Sequence, residues 1–159
     1  TPQMDAGGVR HILGFMGANA ESGFASVEEA ADAVAGYLPH RPRPASLDGL
    51  KRNLRLGPDG RWRWHWDPRF LDGPRPIGTD HAAMMAEATE ACRRLSVPTL
   101  LVRGRSSELV TEEAAAEFRK LCPSAEYADI AGARHMVAGD KNDAFANAIL
   151  DFLDRRFAA

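Results

Sequence analysis

A carboxylate at Glu108 and an imidazole at His135 stand 27 positions apart in this 159-residue chain, each in a loop that follows an apolar segment. Glu108 closes Arg103-Gly104-Arg105-Ser106-Ser107-Glu108, and His135 lies in Gly132-Ala133-Arg134-His135-Met136. In open parallel sheets the loops beyond the carboxyl ends of the strands converge, and ligands bind there. If the two preceding segments are neighbouring parallel strands, the acid and the imidazole emerge on one edge. A base and its orienting acid need that arrangement. The carboxylate fixes the imidazole tautomer and stabilises the imidazolium that forms when a nucleophile gives up its proton. Each residue also has a duller reading: His135 as a loop histidine bonded to a backbone carbonyl, Glu108 as a surface acid or a cap for the helix that begins at Thr111.

The elements that must hold these loops are legible from periodicity. From Thr79, Met84, Met85, Ala88, Cys92 and Leu95 give a helix ending in Arg93-Arg94, favourable for its C-terminal dipole. It leads into Val97-Pro98-Thr99-Leu100-Leu101-Val102, apolar on both faces as a central parallel strand should be. Thr111 to Leu121 reads as an amphipathic helix and Ala125 to Ile130 as a second strand. Asp140 is expected to cap a last helix with Phe145, Ile149, Phe152 and Leu153 as its buried stripe. Helix, strand, helix, strand, helix is an α/β unit with a parallel crossover.

The first half is different in character. Val9, Ile12, Leu13, Phe15 and Met16 place an apolar stripe on a short helix ending near Gly17. Ser26-Val27-Glu28-Glu29 is a capping box opening a helix to about Leu38, with Glu29 reaching back to the cap. Pro39, Pro42 and Pro44 then enforce an extended connection, and a short helix is expected from Leu47 to Leu54. Gly57-Pro58-Asp59-Gly60 marks a turn. Beyond it Arg61-Trp62-Arg63-Trp64-His65-Trp66 alternates cation and indole, so three rings share one face of an extended segment. That face is either the local core or an apolar wall against which a substrate stacks. Asp67 to Pro76 reads as loop.

Composition narrows the class. Hydrophobic residues make up 45% and charged residues 26%, with a net charge of -2, so no electrostatic case exists for nucleic acid or an anionic membrane. The locally basic run from Arg41 to Arg75 reads as a solvated surface, with a site for acidic substrates as the lesser reading. Cys92 and Cys122 fit free thiols rather than a disulfide framework or zinc site, which favours a cytoplasmic location. No apolar run reaches membrane-spanning length. Neither a metal nor a cofactor is called for. His11, His40, His65 and His81 lack paired spacing. The opening Thr1-Pro2-Gln3-Met4-Asp5 reads as the middle of a protein.

The run Val97 to Gly104 followed by Glu108, then Gly132-Ala133-Arg134-His135-Met136 and a closing amphipathic helix, resembles the end of the α/β-hydrolase fold. The resemblance is detailed over residues 79–159 and looser over the first half. It implies an α/β architecture, the C-terminal part of that fold: a helical cap over 1–78, inserted after the sixth strand with Thr1-Pro2 as the exit from it, and then a core segment over 79–159 with two parallel strands and flanking helices. It makes Glu108 the triad acid and His135 the triad histidine. Because the acid is more often Asp, and some relatives take it from the end of the preceding strand, Asp5 is a substitute for Glu108. The sequence holds no Gly-x-Ser-x-Gly, so the nucleophile and the oxyanion-hole loop belong to a half outside these residues. The implied activity is cofactor-free hydrolysis of an ester-like or lactone substrate through a serine. An aspartate nucleophile, giving epoxide hydrolysis or dehalogenation, is the rival; epoxide hydrolases use cap tyrosines, usually a pair, and Tyr37 is the only one in the cap. A catalytically silent fragment or interaction module is the third reading. The residues expected to meet an apolar small-molecule substrate are Trp62, Trp64, Trp66, Tyr37 and Met136. The expected partners are the missing N-terminal half of the same protein and, to cover exposed strands, a second copy in a homo-oligomer.

Overall fold

The computed structural model describes residues 1–73 and 81–158, with His81 described by its backbone alone. The expected boundary at 78/79 and the start of the helix at Thr79 lie outside the described residues. The chain divides into two compact units. One combines Thr1–Val9 with Asp80–Ala159, and the other is Arg10–Thr79. The opening nine residues thus belong with the second half, where the Asp5 amide donates to Leu109 O at 2.9 Å.

In the first of these units the order is α1 (Ala6–Ala18), which runs on into the other unit, then α5 (His81–Arg93), β3 (Leu100–Gly104), α6 (Glu112–Leu121), β4 (Glu126–Ile130), α7 (Val137–Asp140) and α8 (Asn142–Phe157). β3 and β4 are parallel, with Leu100 opposite Glu126 and Gly104 opposite Ile130. The strand starts three residues later than expected, because Pro98 has no amide hydrogen for the ladder and Val97 stands 60% exposed. The helix expected from Thr111 begins at Glu112, with Thr111 as its cap, the hydroxyl accepting from Ala114 N at 3.2 Å. The core gathers Ile130, Ala133 and Val137, with Val102, Ala128, Phe145 and Ala148 packed around them.

Two expectations for the last helix are corrected. Lys141, not Asp140, is its N-cap, without a side-chain bond. Asp140 ends the extra turn α7 instead, and its carboxylate accepts from Arg134 N at 2.7 Å, so it fastens the loop that holds His135. Of the expected stripe Phe152 is buried, and Phe145 and Ile149 are half-buried. Leu153 lies with Leu150 and Phe157 on an exposed row, since residues three and four apart share a face.

The end of α8 is tied to the sheet by charge. Arg155 and Arg156 each donate to Glu126 at 2.7 Å, and they hold its carboxyl below the usual carboxylate range, Arg155 most strongly, against the opposing effect of partial burial. A carboxyl whose folded value is depressed stabilises the fold above its unfolded value of about 4.3, and that contribution disappears as the pH falls through the lower folded value. Glu126→Gln is therefore expected to lower the melting temperature at pH 7. Melting curves of the two proteins should converge as the pH drops below about 4.

In the other unit, α2 (Val27–Tyr37), α3 (Asp48–Lys51), β1 (Leu54–Leu56), β2 (Trp62–Trp64) and α4 (Arg69–Asp72) follow in order. The Ser26 hydroxyl accepts from Glu29 N at 3.1 Å, while the Glu29 carboxylate reaches past the cap to Ala25 N. Leu54, expected at the end of a helix, begins a strand that pairs antiparallel with β2, Leu54 opposite Trp64. The turn between them is the expected one, with Gly60 at φ +76° and Asp59 held in a bidentate pair with Arg63. Arg63 keeps the Asp59 carboxyl far below the usual carboxylate range. Residues 69–72 form a helical turn rather than loop, with Pro68 at its N-cap and the Asp67 carboxylate just before it accepting from Arg69 N at 3.0 Å. Phe24, 1% exposed, bonds both ways with the Trp62 backbone and meets the Trp64 ring edge-on at 5.3 Å. Phe24→Ala should cost this unit about 3–5 kcal/mol. Denaturation followed by tryptophan fluorescence, which reports from Trp62 and Trp64 at the same contact, measures that loss.

Candidate active site

In the sheet-bearing unit the loops that carry Glu108 and His135 follow the ends of β3 and β4. Gly104, the last residue of β3, passes so close to the next loop that a Cβ there would lie 2.0 Å from Arg134 O and 2.7 Å from Ala133 O. Beyond it the Arg105 amide donates to Ile130 O, and the Ser106 amide to Ala133 O, both at 3.0 Å. The two loops are therefore joined two residues before Glu108 and two residues before His135. Gly132 turns the chain at φ +71°, in the left-handed region that a side chain disfavours. It opens the Gly-x-x-His segment.

Glu108 is half-buried. Its Oε2 is fully enclosed and has no hydrogen-bond partner. A buried carboxylate oxygen without a donor is unfavourable, so the position favours an incoming hydrogen-bond donor. Close above its backbone, Gly8 of α1 leaves room only for hydrogen, since a Cβ there would stand 2.3 Å from Glu108 O. His135 is exposed at the end of its own loop, and Met136 beside it is 52% exposed. No hydrogen bond between Glu108 and His135 is present among the described residues.

Asp5 has a different employment. Its Oδ2 accepts from Gly8 N at 2.8 Å and its carbonyl from Val9 N at 3.0 Å, which makes it the N-terminal cap of α1. One residue that the sequence reading passed over stands out here. Arg103, 7% exposed, sits opposite Asp129 in the parallel register. An arginine in an apolar strand next to a glycine is the only local signal of it, since its partner on β4 lies 26 positions away.

The aromatic residues belong to the other unit. Trp62 and Trp64 pack against Phe24, Ala30 and Leu54, while Trp66 leaves the strand and meets Phe70 edge-on at 6.5 Å. The expected single face of three indoles is thus reduced to two, because the extended segment stops at Trp64 and the chain bends at His65 and Trp66. Trp64 and Trp66 line an open groove of about 430 Å³ with Arg55, Arg63, His65 and Pro68. The Tyr37 ring stacks on His11 at 4.9 Å and Phe15 at 4.1 Å. Among the described residues, no three His, Cys, Asp or Glu side chains cluster as metal ligands, and no helix is long and apolar enough to cross a membrane.

Solved structures share this arrangement. E-2-(acetamidomethylene)succinate hydrolase superposes on 97% of the chain with a TM-score of 0.74 at 24% identity, and the chain spans 55% of it. An α/β-hydrolase from Novosphingobium aromaticivorans superposes on 98% with a TM-score of 0.71 at 23% identity. The chain has the fold of the C-terminal part of an α/β-hydrolase. An esterase from Mycobacterium tuberculosis shares this fold segment at 27% identity over 82% of the chain, with a TM-score of 0.66. The α/β-hydrolase segment spans 54% of the Novosphingobium protein and 42% of the mycobacterial one. No protein-family model matches it. A curated relative, polyketide synthase ThaQ of Burkholderia thailandensis, is 34% identical over 93 residues, which cover 58% of this chain and 4% of that protein.

Proposed function

We propose that these residues supply the helical cap and the acid–base pair of a hydrolase acting on ester-like or lactone substrates, with a serine nucleophile outside them. In this reading His135 takes the serine proton as the hydroxyl oxygen attacks the acyl carbon. It returns that proton to the departing alkoxide, leaving an acyl-enzyme. A water then gives its proton to His135, attacks the acyl carbon and releases the acid, and the serine recovers its proton from the imidazolium. Glu108 orients the ring throughout and compensates the imidazolium charge.

The observation that carries this assignment is the enclosed Oε2 of Glu108 without a donor, at the rim where the loops of β3 and β4 are joined. Asp5, the other acid considered, has its carboxylate engaged by Gly8 N. The fold likeness to hydrolases and an esterase supports the reaction class. The indoles of Trp64 and Trp66, in a groove that Arg55, Arg63, His65 and Asp67 also line, support stacking against an apolar part of a substrate, while Trp62 and Tyr37 contribute packing to their own unit. The exposed row Leu150, Leu153 and Phe157 on α8, together with the half-buried Leu100 to Val102, supports a covering partner, for which the nucleophile-bearing half is our reading.

The choice of acid is tested in the enzyme completed with that half, assayed on p-nitrophenyl butyrate. Glu108→Gln is expected to lower kcat by about 10²–10⁴-fold, and Asp5→Ala, which removes the cap oxygen, to leave it within a few-fold of the parent while reducing stability by about 1 kcal/mol. The reverse pattern would transfer the role to Asp5.

A further inference from the structure

We infer that Arg103 is a positioning residue of the acid loop: one buried guanidinium holds both ends of the segment that carries Glu108 and fixes them to the neighbouring strand. The inference rests on the reading of Glu108 as the triad acid. Arg103 Nε donates to Val110 O at 2.8 Å and Nη2 to Arg105 O at 3.1 Å. Those two carbonyls bracket Ser106 to Leu109, with Glu108 between them. Nη1 donates to Asp129 Oδ1 at 3.1 Å, and Asp129 Oδ2 in turn accepts from Arg105 Nε at 2.9 Å. The loop is therefore closed from both ends onto β4, the strand that leads to His135. Ser107 tightens its middle, the hydroxyl accepting from Val110 N at 3.0 Å.

The chemistry of the side chain matters here. A guanidinium presents donors in a rigid planar fork, so three acceptors in different directions can be held at once without mobility. An ammonium on a flexible stem keeps the charge opposite Asp129 but cannot span the two carbonyls. A buried cation with three satisfied acceptors is also strongly directional, because each lost bond leaves a carbonyl or a charge unpaired. The group does not touch the reacting atoms. It acts through Glu108 by fixing where the backbone of that residue runs.

A double-mutant cycle in the completed enzyme tests this, with p-nitrophenyl butyrate as substrate and circular dichroism to correct each variant for its folded fraction. Arg103→Lys is expected to lower kcat by about 10- to 100-fold with KM little changed, the scale of a small misplacement of a catalytic group. On the Glu108→Gln background the same change should have no further effect, because the residue it positions is already disabled. Should Arg103→Lys fold poorly, Asp129→Asn, which keeps an oxygen toward Nη1 but gives up the ionic hold, should give a smaller loss that likewise vanishes on the Glu108→Gln background. Parental kcat in Arg103→Lys, or equal losses on both backgrounds, would overturn the positioning role and leave the acid assignment intact. An unchanged kcat in Glu108→Gln would remove the acid assignment and this inference with it.

Discussion

His135→Ala, made in the enzyme completed with its nucleophile-bearing half, is expected to reduce ester turnover by about 10³–10⁶-fold while folding as the parent does. The side chain is exposed and takes no part in the core, so its loss should leave the unfolding free energy within about 0.5 kcal/mol of the parent. Removal of a triad base leaves only binding and oxyanion stabilisation. Losses within a triad are not additive, because its members act as a unit. Adding Glu108→Gln to His135→Ala should therefore change kcat little further. The measurement is steady-state hydrolysis of p-nitrophenyl butyrate, and a residual rate above one tenth of the parent would remove His135 from the mechanism. The 159-residue chain by itself is expected to show no turnover of this ester above the rate in buffer.

The second large effect belongs to Gly104. A methyl group there must occupy space held by Arg134 O at 2.0 Å and Ala133 O at 2.7 Å, and both obstacles are backbone. Flexible side chains can yield to such a group, but these carbonyls are fixed by the turn at Gly132, and Ala133 is fully buried. Gly104→Ala is expected to cost about 1–3 kcal/mol or more, the usual consequence of overpacking. It should also push the His135 loop away from the loop of Glu108. A shift of that kind lowers turnover by about 100-fold beyond the change in folded fraction. Denaturant unfolding and kcat per folded molecule separate the two losses. Equal stability with equal turnover would show that the loops are not held together as described.

What could be seen in the sequence were the features decided locally. Ser26 and Thr111 announce their helices because a cap is a contact with a residue three positions on, and Asp59-Gly60 announces a turn for the same reason. β4 was readable from its pattern, and the Gly-x-x-His loop from its resemblance to a known fold. Features that rest on distant partners were not readable. Leu54–Leu56 is a strand only because Trp62–Trp64 lies beside it, and three residues carry too little pattern to reveal that. Trp66 continues the alternation in sequence yet departs in space, since the ladder with β1 ends at Trp64 and only the His65 amide bonds on, to Asn53 O. Asp140 stands where a cap is expected, but it is held by the Arg134 amide across α7. Arg103 and Asp129 look like unrelated surface charges until the parallel register sets them opposite one another. The candidate site was legible as two loops. The fastening between those loops, at Gly104, Ser106 and Arg103, was not.

The most direct examination of the acid–base pair is a crystal structure of the completed enzyme with a phosphonate ester bound at the serine. His135 Nδ1 should lie about 2.6–3.2 Å from a carboxylate oxygen of Glu108, with Nε2 turned toward the serine oxygen. An imidazole bonded to Asp5, or one directed away from residue 108 altogether, would contradict the assignment.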